Sequence, residues 1–259
     1  MMKKKIWLLI LTAVICWALV ICAAAETSQG IGATNGTCGS KLTWTLSEDG
    51  MLTISGTGAM TNYESSTGTP WETKKSLIRS VVIEEGATTI GNAAFYGCSN
   101  LSSISIPEGI KTIGGNAFYK CSALKSIILP NTLTTLGYET FGFCEALTSV
   151  EIPDSVTTIG TWVFYGCSRL KTVRISQSLT VIPTCAFAGC DLEEIRIPEG
   201  ITTINGNAFN SNKRLATIYL PVSLESVESG AFSYCPLISD VYYTGTKEQA
   251  EDIQIGTDN

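Results

Sequence analysis

Histidine is missing from all 259 residues. Its absence removes Ser-His-Asp and Cys-His nucleophile systems and the commonest transition-metal ligand. Positive charge is scarce too: 17 Lys+Arg face 23 Asp+Glu, for a net charge of −6, a balance that argues against a nucleic-acid partner. Carboxylates set up for glycoside hydrolysis are lacking, since Glu84-Glu85 and Glu193-Glu194 are mere sequence neighbours. No spacing of cysteines fits zinc. No catalytic residue, metal site or cofactor is therefore expected, and the chain reads as a non-enzyme.

What the chain does have is a period. The stretch from Leu101 to Ala123, LSSISIPEGIKTIGGNAFYKCSA, recurs every 23 residues: Leu124, Leu147 and Leu170 fall on Leu101, and Phe141, Phe164 and Phe187 fall on Phe118. Self-similarity at this spacing is the mark of a leucine-rich-repeat solenoid. Within the unit, Leu-x-x-Ile-x-Ile alternates like a strand, Pro107 ends it, and a second extended piece runs from Ile110 to Ile113. Gly114-Gly115 is expected to reverse the chain, with one helical or 3₁₀ turn over Asn116 to Tyr119 pushing Phe118 inward. Because these Ile-Gly turns recur, they serve the fold and are not phosphate loops. A single unit cannot bury enough to stand alone, so the coils must stack and both ends need caps. The fold class is α/β repeat, mostly β, with about seven coils starting at Ile78, Leu101, Leu124, Leu147, Leu170, Leu192 and Leu215. The step from Leu170 to Leu192 is one residue short, because Asp191 alone follows Cys190.

Residues 1–25 begin with Lys3 to Lys5, continue as an apolar run from Ile6, and end in Ala23-Ala24-Ala25. This reads as a secretory signal, with an uncleaved anchor as the alternative. Either exports the repeats to the cell surface or beyond, and removing the three lysines takes the net charge to −9. Residues 26–40, rich in Gly, Thr and Ser, read as a flexible leader. Residues 41–77 read as an N-terminal capping hairpin, with Leu42, Trp44 and Leu46 against Leu52 and Ile54, and a connection through Pro70-Trp71. The repeats fill 78–237. Residues 238–259 form the C-terminal cap, where Thr246 to Gln249 fits a capping box opening a short helix.

Six cysteines, Cys98, Cys121, Cys144, Cys167, Cys190 and Cys235, share one offset of the repeat, and Asn212 fills the seventh slot. Equivalent positions on stacked coils lie about 4.7–4.9 Å apart with parallel Cβ vectors, whereas a disulfide wants Cβ atoms near about 3.8 Å and facing each other. A buried ladder of structural thiols is expected, with Asn212 hydrogen-bonding the turn backbone as a ladder member. Cys185 lies off the ladder at the offset of Asn116 and Trp162 and is expected to point outward; Cys38 lies in the leader. A bridge between these two stays open beside two free thiols.

The central outward residue of each strand is expected on a concave sheet: Val82, Ser105, Ile128, Glu151, Arg174, Arg196, Tyr219 and Tyr242. Glu151, Arg174, Arg196, Tyr219 and Tyr242 form the candidate ligand-binding stripe, rich in the residue types of binding hot spots. The bland reading of the same residues is a solvated face in which Glu151 pairs with Arg174 and Arg196 stacks on Tyr219. Rows such as Thr112, Thr135, Thr158 and Thr203 read as a structural ladder.

The unit L-x-x-I-x-I-P-x-x-I-x-x-I-G-x-x-A-F-x-x-C resembles the BspA-like, or treponemal-type, bacterial surface leucine-rich repeats, from Ile78 to Tyr243 in seven copies. The flanks GTCGSKLTWTLSEDGMLTISGTGAM and DVYYTGTKEQ are similar to that family too. Ser176 for the strand-ending proline, Asn212 for cysteine and Ile182-Pro183-Thr184 for Ile-Gly depart from it. The resemblance implies a secreted or surface-attached, adhesin-like module that binds host or bacterial macromolecules. The partner is then an extracellular protein or a glycan met by a monomer; carbohydrate capture on Tyr219, Tyr242 and Trp162, or a structural spacer role, is the alternative.

Overall fold

Apart from the coil that starts at Leu124, which lacks the first strand, each coil lays down two short strands and one turn, and these stack on their equivalents in neighbouring coils. The computed structural model describes residues 34–64 and 68–259. The segment read as a secretory signal lies outside the described residues.

The first ladder runs through the Leu-x-x-Ile-x-Ile segments. Strand β1 (Thr34–Thr37) pairs antiparallel with β2 (Leu42–Leu46), which pairs antiparallel with β3 (Met51–Gly56). From there every step is parallel: β3 to Ser80–Ile83, then to Ser103–Ser105. Further on, Ser149–Glu151 pairs with Thr172–Arg174, and Glu194–Arg196, Thr217–Leu220 and Asp240–Tyr243 form a last set. The hairpin thus converts an antiparallel start into the parallel stack and covers its first edge. Residues 34–37, which by composition read as flexible leader, instead form β1, and Cys38 is only 2% exposed. The strand escapes sequence inspection because TNGT holds no apolar residue to alternate.

The second ladder carries Ile90, Ile113, Leu136, Ile159, Ile182, Ile204 and Val227, all buried. Beside them Thr89, Thr112, Thr135 and Thr158 pair in register, while Thr203 pairs with Val181 and Ser226 in the C-terminal half. At the far end, helix Lys247–Glu251 opens with a complete capping box between Thr246 and Gln249. The chain then returns as Gln254–Ile255 to extend this ladder beyond Ser226–Val227.

The turn supplies the core. Phe95, Phe118, Phe141, Phe164, Phe187, Phe209 and Phe232 stack in one column with centroids 5.2–5.5 Å apart. Trp71 starts the column, stacked on Phe95 at 5.7 Å, and its Nε1 donates to Ala94 O at 2.9 Å. Chain reversal comes from a source other than the expected one. Gly114 keeps an ordinary negative φ; the left-handed residues are Asn116 (φ 57°) and Lys120 (φ 59°), which bracket Phe118. Gly114, Gly137 and Gly160 are needed for space, because a Cβ there would strike the backbone of the preceding coil.

Among the described residues both ladders are interrupted, for local chemical reasons. Gly137 N and Gly160 N donate to Ile113 O and Leu136 O at 2.8 and 2.9 Å. Pro183 stands at the next equivalent position without an N–H, and the second ladder breaks between Thr158–Ile159 and Val181–Ile182. The first ladder breaks between Thr172–Arg174 and Glu194–Arg196, where Asp191 stands alone in the shortened turn. It is interrupted also at residues 126–129, which form no strand.

The column predicts its own sensitivity. Phe141→Ala, in the middle of the stack, is expected to cost about 3–5 kcal/mol in urea unfolding, whereas truncation of exposed Tyr138 stays within about 0.5 kcal/mol. Equal losses at the two sites would contradict a stack-dominated core.

Candidate binding face

Alternation along the first ladder sends Val81, Val150, Ile195 and Ile218 inward and leaves Glu151, Arg174, Arg196, Tyr219 and Tyr242 outward. The parallel register sets Glu151 beside Arg174, Arg196 beside Tyr219, and Tyr219 beside Tyr242. Arg174 Nε lies 3.6 Å from Glu151 Oε1, while its NH2 donates to Asp154 Oδ2 at 2.7 Å and its NH1 to Ile152 O at 3.3 Å. The hydrogen bond from Arg174 holds the Asp154 carboxyl below the usual range. Asp154 was not foreseen; its signal is its place directly after the strand-ending Pro153.

The second cluster is aromatic. The Arg196 guanidinium sits 3.6 Å from the Tyr219 centroid, and Tyr219 stacks on Tyr242 at 5.0 Å with the planes 15° apart. Arg196 Nε also lies 3.4 Å from Glu194 Oε1. Both faces of Tyr219 are thus covered, so only the outer face of Tyr242, 53% exposed, remains for a ligand to stack on. Trp162 stands in the turn after the second ladder, away from this pair, against Tyr165. The proposed sugar platform of Tyr219, Tyr242 and Trp162 is therefore not assembled.

The ladder breaks shape the face. A cleft of about 260 Å³ opens between Arg174 and Arg196, floored by Val173 and closed by Glu194 and Pro198. A larger one of about 600 Å³ lies where residues 126–129 fail to pair, lined by Ser126, Ile128, Asn131, Glu151, Asp154 and Arg174. Ile128, 84% exposed, is the largest apolar projection into this region that sequence reasoning left out of the site.

On the turn side the cysteines are all free and buried. Five of the six ladder thiols donate across coils: Cys121 to Phe95 O at 3.2 Å, Cys144 to Phe118 O at 3.2 Å, Cys167 to Phe141 O at 3.1 Å, Cys190 to Phe164 O at 3.3 Å and Cys235 to Phe209 O at 3.2 Å. Asn212 makes the same bond to Phe187 O at 2.9 Å and adds one to Phe209 O at 2.8 Å. Cys185 departs from its expected outward position: it is 7% exposed, at φ 55°. Trp162 and Asn207 occupy its offset on either side, and the shorter thiol lies between them. Burial pushes Cys98 and Cys167 up to about 12 and Cys38 up to about 11. Among the described residues no group of three or more metal-ligating side chains occurs, and no helix is long and apolar enough to cross a membrane.

Seven stacked coils with two parallel ladders and a buried aromatic-and-thiol turn define a leucine-rich-repeat solenoid. The family description "BspA type Leucine rich repeat region" matches in six copies at residues 73–153 and 136–253. That is more than half of the chain, and the chain belongs to this family. Among solved structures it is similar to a leucine rich cell surface protein from Faecalibacterium prausnitzii, with 21% identity over 89% of this chain and 99% of that one and a TM-score of 0.42. It is similar also to a leucine-rich repeat protein from Bacteroides ovatus, with 20% identity, 84% and 77% coverage and a TM-score of 0.46. The T. pallidum leucine rich repeat protein shares 19% identity over 85% of this chain and 86% of that one, with a TM-score of 0.41. No curated protein matches the chain.

Two outcomes follow from the thiol column. Asn212→Ala leaves the carbonyls of Phe187 and Phe209 without that donor and is expected to cost about 1–3 kcal/mol in thermal unfolding, with Asn212→Cys closer to the parent because it restores the thiol donor. Equal loss in the two variants would remove the hydrogen bond from the explanation. The raised thiols also set a pH dependence. The unfolded chain releases these protons from about pH 9 while the folded chain holds them to about 12. The folded state then binds more protons, so stability is full below about pH 9 and falls as pH rises through that window. Melting temperatures that rise across it would contradict this.

Proposed function

We propose that this protein is an exported, surface-exposed binding module that recognises an extracellular protein through the outward face of its first ladder, as an adhesin does. The observation that carries the reading is the pre-ordered set of Arg196, Tyr219 and Tyr242, with Arg174 across the cleft from Arg196, beside the second cleft and the exposed Ile128. Arg and Tyr are enriched at hot spots, and the ion pairs and stacking reduce the side-chain entropy that binding must remove. A face several coils long offers the breadth that a protein interface needs. The net charge of −6 disfavours nucleic acid. The Faecalibacterium protein is described as a cell surface protein, in keeping with export by residues 1–25. In this reading the chain acts as a monomer and by binding alone, without turnover or cofactor.

The test is an array of extracellular matrix and bacterial surface proteins probed with the purified chain and with single Arg174→Ala, Tyr219→Ala and Ile128→Ser variants. A protein ligand is expected, with a loss of about tenfold or more at Arg174 or Tyr219, as for hot-spot truncations of ~2 kcal/mol. Binding that survives all three substitutions in folded variants moves the site off this face, and silence across the array removes the adhesive reading.

A further inference from the structure

The two ends of the first ladder are finished differently. At its start the antiparallel strands β1 to β3 cover the edge. At its far end the order is Glu194–Arg196, Thr217–Leu220, Asp240–Tyr243, and among the described residues no strand lies beyond the last. Asp240–Tyr243 therefore presents one row of backbone N–H and C=O groups without strand partners. Val241 pairs with Ile218 and stands at the inward offset, where Val150, Ile195 and Ile218 are at most 5% exposed; Val241 itself is 56% exposed. Leu237, just before this strand, is also 56% exposed. The neighbouring turn is closed by contrast. Asn259 Oδ1 accepts from Phe232 N at 3.1 Å and its Nδ2 donates to Glu228 O at 3.0 Å, and Phe232 stays buried.

Protected sheet edges carry a lysine, a proline, a bulge or a very short strand. Asp240–Tyr243 has none of these: four residues pair in continuous register, and Val241, Tyr242 and Tyr243 all favour extended backbone. Its single charge is negative. From Asp240 onward the chain holds five acidic residues and one lysine, Lys247, which lies 3.9 Å from Glu251. Among the described residues Asp240, Glu248, Asp252 and Asp258 have no ion-pair partner. This end thus combines an open strand, uncovered apolar side chains and unbalanced negative charge. An extended basic segment answers all three. Its main chain continues the ladder, an apolar side chain covers Val241, and a Lys or Arg meets Asp240. A second copy of this end would bring like charges together, and a lipid surface has no strand with which to complete the backbone row.

We propose that Asp240–Tyr243 is a docking edge to which an extracellular protein adds one strand, an extended segment that alternates apolar and polar residues and carries at least one Lys or Arg. The contact is decided at Val241 and Asp240, so it stands or falls separately from the outward face tested at Arg174 and Tyr219. The test pans a phage-displayed library of random dodecapeptides against the full chain. Enriched sequences are expected to alternate β-branched or aromatic with polar residues and to contain Lys or Arg. N-methylation of an enriched peptide, one residue at a time, is expected to weaken binding at alternate residues only, the period of a strand. Val241→Lys and Asp240→Lys, both at exposed positions, are expected to keep the parent's melting temperature and to weaken the peptide about tenfold or more. Exchanging the peptide's basic residue for Glu restores binding to Asp240→Lys, and Tyr138→Ala binds as the parent does. No enrichment, enrichment of acidic peptides, N-methyl losses without a period of two, or binding unaffected by both substitutions would overturn the proposal. Sedimentation of the parent as a dimer that Val241→Lys dissociates would overturn it too, because a second copy then fills the edge.

Discussion

Face-to-face contact between equivalent turns is the constraint on which the rest of this structure depends. A 23-residue coil has too little apolar surface to fold alone, and its interior exists only where Phe118 lies between Phe95 and Phe141 at 5.3 Å on either side. The spacing of those rings is close to that of strands in a sheet, so aromatic column and ladders share one repeat. Thiol-to-carbonyl bonds fall into the same step, because a cysteine three residues after each phenylalanine meets the carbonyl of the phenylalanine one coil earlier. A small donor is what this position requires, which is why Asn212 can stand in for cysteine without disturbing the column.

That regularity leaves the outer surface free to vary. The inward positions are fixed by stacking, whereas successive outward positions along the first ladder hold serine, isoleucine, glutamate, arginine and tyrosine. Departures from the unit have structural consequences there. Pro183 deletes one ladder hydrogen bond, the shortened turn at Asp191 separates Arg174 from Arg196, and the cleft between those two arginines is the result. The features that distinguish this chain as a binding surface therefore sit where its repeat is least regular.

Two classes of feature differed in how visible they were beforehand. The stack, the hairpin, the capping box and the alignment of cysteines were legible because each depends on residues at a fixed offset. The pairing of Glu151 with Arg174 and the stacking of Arg196 on Tyr219 were legible for the same reason, being one repeat apart or nearly so. Strand β1 was not, since TNGT offers no alternation. The role of Gly114 was misassigned because a glycine required for close approach looks the same in sequence as one required for a turn. Only the left-handed φ of Asn116 and the crowding of Gly114 against Asn92 separate the two.

The sequence by itself determined the coil, its period, the inward face of every strand and the identity of the stacked residues. The physical reason is that equal offsets in a solenoid become nearest neighbours. The tertiary structure alone decided what the offsets do not encode: the burial of Cys185 between longer neighbours, the ladder breaks, the third contact of Arg174 at Asp154, and the joining of Tyr119 to Phe143 across unequal offsets. Those depend on side-chain length and on left-handed backbone angles, which are set only once the coils are in contact.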